Sequence, residues 1–150
     1  MSLQALLLAA LALLAGAMIS IQAPINAMAA AKLGHPLGAA TLSFLVGSLC
    51  LLAVTLSLAR GQVAWGNVGS LPPMLWLGGV LGAIYVTVAI VLTPTLGVGA
   101  VIALAIAGQV TAGLVLDHYG LLGLAAREIT MGRAVGALLV VVGALMVRFF

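Results

Sequence analysis

Charge is what this sequence has least of. Five Lys and Arg and two Asp and Glu account for 5% of its 150 residues, against about 25% charged residues in ordinary soluble domains. With 65% of the chain hydrophobic, a water-soluble globule is excluded. The chain reads instead as an all-α integral membrane protein held in the lipid bilayer. Basic clustering is missing as well. The sequence pI of about 9.8 rests on Lys32, Arg60, Arg127, Arg133 and Arg148, scattered among helix ends where Lys and Arg stems snorkel towards headgroups. No nucleic-acid surface follows from them. Cysteine is nearly absent: with only Cys50 present, an intramolecular disulfide is impossible. No Cys/His spacing suggests a metal site either, so neither metal nor cofactor is expected. Cys50 lies within an apolar run and is expected to be a small buried hydrophobe. No membrane nucleophile or acid-base pair stands out, which argues against an enzyme.

What is present is apolar sequence in lengths that suit a bilayer. Five segments, at about 3–30, 37–59, 74–92, 98–116 and 130–147, predict five transmembrane helices forming a single domain over 1–150. The first is not expected to be a cleavable leader. It has no basic n-region, and its apolar run continues past Ala15-Gly16-Ala17 to Ile21. Pro24, four residues after Ser20, removes one backbone hydrogen bond, so a kink with a freed carbonyl is expected there. Gly and Pro mark the loop at Lys32 to Gly38, and Pro72-Pro73 suits the first turn of the third helix. Thr93-Pro94-Thr95-Leu96-Gly97 reads as a tight, uncharged turn between the third and fourth helices. A short interfacial helix is possible between Leu121 and Ile129. Trp65 and Trp76 suit an interfacial belt.

A few polar side chains interrupt the apolar runs. Gln22 and Asn26 stand one turn apart on one face of the first helix; they suit either a ligand site or a bond between helices. Ser43, in the second, either meets a solute or bonds its own backbone. Tyr85 in the third needs a partner or a cavity. Gln109 in the fourth is better explained by a cavity, because a bond between membrane helices averages only about 0.6 kcal/mol. Asp117 opposes the dipole at that helix's C-terminus. Arg133, on the same membrane side, is its obvious partner, in a structural ion pair or in ion coupling. Gly132, Gly136 and Gly143 fall on one stripe of the fifth helix, suited to dimerisation or to packing within one subunit.

The stretch from Gly78 to Gly123 carries a family resemblance. Gly78-Gly79-x-x-Gly82-Ala83-x-Tyr85-Val86, Pro94-Thr95-Leu96-Gly97-x-Gly99-Ala100, Ala107-Gly108-Gln109 and Leu116-Asp117-His118-Tyr119-Gly120 follow in order. With Gln22 to Asn26, Ser43 to Ser48 and Gly136 to Gly143, the chain resembles the YdcZ-like branch of the drug/metabolite transporter superfamily. Larger members of that superfamily have ten helices in two inverted halves, so the resemblance implies an unfused half. It departs from the four-helix multidrug exporters, whose first helix carries a membrane-embedded glutamate. Here that helix has only amides, and proton antiport by such a route is unsupported.

An odd number of spans puts the termini on opposite sides of the membrane. Arg60, Arg127 and Arg133 then share one side, Lys32 and Arg148 the other, which is almost no orientation signal. Two copies inserted in opposite directions would make ten helices with inverted-repeat symmetry. The expectation is a multi-pass transporter of the cell (inner) membrane, working by alternating access as an antiparallel homodimer. It would move a small polar metabolite or drug-like solute, with Gln22, Asn26, Ser43, Tyr85 and Gln109 from both subunits at a midplane site. The alternative is a non-transporting scaffold or accessory subunit, which would not need those polar residues to converge.

Overall fold

The structure, a computed structural model, describes residues 2–150. Five long α-helices account for most of them: α1 (Leu3–Leu33), α2 (Pro36–Leu58), α3 (Leu77–Leu96), α4 (Val98–Tyr119) and α5 (Met131–Phe149). Each is long and apolar enough to cross a membrane. The chain forms two compact units, 1–91 and 92–150.

In the first unit, α1 and α2 pack as a hairpin. α1 is capped at its start by the Ser2 hydroxyl, which accepts from the Ala5 N–H, and at its end by Gly34 at φ 74°. His35 then caps α2: its Nδ1 accepts from the Leu37 N–H at 3.2 Å, and Pro36 occupies the first turn, where no N–H is needed. The packed centre is built of small residues. Ala39, Ala40 and Ile90 are buried together against Ala29, Ala30 and Val86, because alanine lets helix backbones approach where lipid offers no hydrophobic drive to association. At 31 residues, α1 is roughly 46 Å long, well beyond the ~30 Å of a hydrocarbon core. Pro24 does not end it, and Ser20 and Pro24 are only partly exposed. The Ser20 carbonyl that Pro24 frees lies about 160° around the helix from Gln22. Gln22 therefore stands on the far side of α1 from that carbonyl, and Asn26 about 120° around from it.

Two 3-10 segments, Trp65–Ser70 and Pro73–Trp76, lead into α3, and both tryptophans are exposed. The helix expected from residue 74 thus begins as a 3-10 turn.

In the second unit, the segment read as a turn proves helical up to its last residue. Thr93, Pro94, Thr95 and Leu96 complete α3, and Gly97 alone separates it from α4. The Thr95 hydroxyl donates to the Leu92 carbonyl at 3.0 Å, and the Gly97 N–H donates to the Thr93 carbonyl at 3.0 Å, so the last turn keeps its acceptors occupied despite Pro94. Gly97 takes φ 79°, ψ 153°, a conformation essentially reserved for glycine. α4 ends at Gly120, whose left-handed φ of 59° turns its N–H onto the carbonyls of Leu116 and Asp117. A Cβ there would also lie 3.1 Å from the Leu124 carbonyl oxygen. In place of a short interfacial helix, Leu121–Gly123 forms a turn with Leu122 in the left-handed region (φ 57°, ψ 28°), followed by chain without regular structure. α5 starts at its cap Thr130 and packs along α4. Ala144 is buried, and Val147 lies within 3.8 Å of the place a Gly99 Cβ would take.

Leu, Ile, Val and Met cover the outer surfaces of the helices and are largely exposed, as lipid-facing residues must be. Cys50 is among the outward-facing residues, against the expectation of burial. In a membrane, apolar character confers no preference for the interior over the lipid face.

Candidate functional site

Four of the five candidate solute contacts come together in the first unit. α1 supplies Gln22 and Asn26, α2 supplies Ser43, and α3 supplies Tyr85. Gln22 Nε2 donates to Ser43 Oγ at 3.5 Å, across 21 positions of sequence. That distance is at the outer limit for a hydrogen bond, so the contact closes the gap between α1 and α2 without locking it.

Two grooves meet at this contact. One, of about 620 Å³, runs between α1 and α2 and is bordered by Gln22, Asn26 and Ser43 among Met18, Ile25, Leu42 and Val46. The other, of about 340 Å³, is bordered by Gln22 and Ser43 again, with Gly82 and Tyr85 of α3. The Gln22–Ser43 pair is therefore the wall between them. No Asp, Glu, Lys, Arg or His borders either groove.

Asn26 is the residue whose state is least explained by folding alone. It is 7% exposed, yet its amide makes no hydrogen bond within the described chain. Among the described residues, no fully enclosed side-chain N or O is left unpaired, so the amide atoms of Asn26 keep a small opening; the residue borders the α1–α2 groove. Ser43 is half-buried and uses its hydroxyl to receive Gln22, not to donate to its own helix, unlike Thr87, which donates to the Ala83 carbonyl at 2.8 Å. Tyr85 is half-buried.

Gln109 lies on α4 in the second unit, exposed and without a side-chain hydrogen bond among the described residues. Two residues on, the Thr111 hydroxyl donates to the Ala107 carbonyl at 2.8 Å.

At the end of α4, Asp117 and Arg133 form an ion pair. The guanidinium also donates to the carbonyls of Arg127, at 3.3 Å, and Glu128, at 3.2 Å, while the Arg127 N–H donates to the Asp117 backbone carbonyl at 2.7 Å. Sequence reasoning paired the two charges but missed this backbone clamp, because carbonyl partners leave no mark in residue type.

The glycines divide sharply by surroundings. A Cβ on Gly82 would touch the Phe44 ring at 3.4 Å, whereas Gly78, Gly79, Gly132, Gly136 and Gly143 have nothing within 4 Å of that position. Among the glycines at the start of α3, only Gly82 has such a neighbour. The stripe on α5 is open within the chain.

Five apolar spans with short connections define a polytopic membrane protein. Over residues 7–146 the chain matches the family model described as "Putative inner membrane exporter, YdcZ". It belongs to this YdcZ family, a branch of the drug/metabolite transporter superfamily, whose description is that of an inner membrane exporter and not of an enzyme. No curated protein and no solved structure matches the chain.

Proposed function

We propose that the chain is a small secondary exporter that moves a small polar solute by alternating access, working as an antiparallel homodimer. One observation carries the reading: Asn26, buried at 7% exposure with an unpartnered amide, borders a 620 Å³ groove beside the Gln22–Ser43 pair. The groove falls within the ~300–1,000 Å³ typical of small-molecule sites. Gln22 stands about 17 Å along α1 from Leu33, near half the thickness of a hydrocarbon core. That depth suits a site reached alternately from the two sides. Gln22, Asn26, Ser43, Tyr85 and Gln109 from both subunits would line it, and one five-helix domain per subunit would supply each inverted half. The even spread of basic residues supports insertion in both directions, and the open Gly132, Gly136, Gly143 stripe supports a partner on α5. A direct path for a proton through α1 has no carboxylate to use; Asp117 is engaged by Arg133.

Two measurements test the reading. Reporters active only in the cytoplasm or only outside it, fused in turn after Phe150, are both expected to be active; activity of one alone rules out antiparallel self-pairing. Metabolite profiles of the medium, taken from cells producing the wild-type chain or Asn26→Leu at equal membrane levels, are expected to show at least one small solute exported only by the wild type. Identical profiles would favour a non-transporting scaffold.

A further inference from the structure

We infer that the solute held in the α1–α2 groove is uncharged and amphipathic, with an apolar body and a hydrogen-bonding head that both donates and accepts, as a carboxamide does. This rests on the reading of the groove as the solute site and narrows it. The polar lining consists of Gln22, Asn26 and Ser43, none ionised. The two carboxylates of the chain, Asp117 and Glu128, both fall outside residues 1–91, the unit that forms the groove. A cationic head in the groove would therefore leave water without meeting an opposite charge among the lining residues, and a zwitterion would do so with both of its charges, which is strongly unfavourable.

An uncharged head meets what is there. The free Asn26 amide offers a carbonyl acceptor and an NH2 donor, and Gln22 keeps its carbonyl oxygen available while its NH2 reaches Ser43. A head with only one of these functions would leave half of the Asn26 amide unsatisfied. The rest of the lining, including Met18, Ile25, Leu42 and Val46, is apolar. It matches a hydrocarbon or aromatic body and makes a fully polar solute such as a sugar a poor occupant.

The test uses three probes with one body: N-acetyl-4-fluorophenylalaninamide (neutral), 4-fluorophenylalanine (zwitterionic) and 4-fluorophenethylammonium (cationic). Binding to the full chain in lipid nanodiscs is read from fluorine NMR line broadening, with empty nanodiscs subtracted. The neutral amide is expected to bind at least about tenfold more tightly than either charged probe, and Asn26→Leu is expected to weaken it about tenfold. If Asn26→Leu is not monodisperse, Val46→Trp, which narrows the groove and keeps every polar group, takes its place with the same expected loss. A charged probe that binds as well as the amide and depends on Asn26 overturns the ligand class while leaving the groove as the site. Neutral-probe binding that is absent, or indifferent to both variants, also overturns it, and the export profiles then judge the site separately.

Discussion

Arg133 reaches from the first turn of α5 to the carboxylate of Asp117 in the last turn of α4, and holds the carbonyls of Arg127 and Glu128 with its other terminal nitrogen. One side chain thus ties together a helix end, a helix start and the chain between them. Both side chains are 31% exposed, so solvent screens the charge pair and much of its value lies in organising backbone.

Asp117→Asn is accordingly expected to lower stability by about 1 kcal/mol. Arg133→Leu, which removes the carbonyl contacts too, is expected to cost about 2–3 kcal/mol. Thermal unfolding in detergent orders the two variants. Export per correctly inserted molecule should be retained in Asp117→Asn; its loss at unchanged stability would mean that the carboxylate couples an ion to transport.

Replacing Asn26 by Leu removes an amide without a partner and keeps the volume of the side chain. The variant is expected to be about 1 kcal/mol more stable than the wild type while losing export. A stabilised but inactive protein is the signature of a polar group kept for its ligand. A destabilised one would show that Asn26 bonds a helix.

Glycines on α3 offer a paired comparison. Gly82→Val brings a branched side chain up against the Phe44 ring, 3.4 Å from where its Cβ would stand, and is expected to cost about 1 kcal/mol. Gly78→Ala meets nothing and gains helix propensity, up to about 1 kcal/mol. Equal effects at the two positions would contradict the packing of α3 against α2.

Gly97→Ala places a Cβ where φ is 79° and is expected to cost about 1–3 kcal/mol. Gly99→Ala, two residues on, has an ordinary 3.8 Å contact with Val147 and should be tolerated. Unfolding midpoints of the two variants decide the matter.

On α5, Gly136→Leu is expected to leave each subunit folded and to reduce the dimer fraction, read by crosslinking in native membranes. An unchanged dimer fraction would move the subunit contact off this stripe.

The membrane class and the five helices were determined by the sequence itself, because hydropathy and length are local properties and a bilayer forces any long apolar segment to satisfy its backbone as a helix. The pairing of Asp117 with Arg133 was legible for a similar reason: two opposite charges in so apolar a chain have few other partners. The rotation of each helix was not legible. α1 to α4 are apolar on every side, so no stripe in the sequence marks the face that packs; Gly78 and Gly82 look alike there, yet only Gly82 meets Phe44. The end of α3 was misread because Pro94 signals a turn, whereas Thr95 and Gly97 keep the last helical turn bonded. Only the tertiary structure decided that Gln22 touches Ser43 and that Asn26 is buried unpaired beside a groove. Both facts depend on how α1 is rotated against α2, which the small residues Ala39 and Ala40 set by allowing close approach.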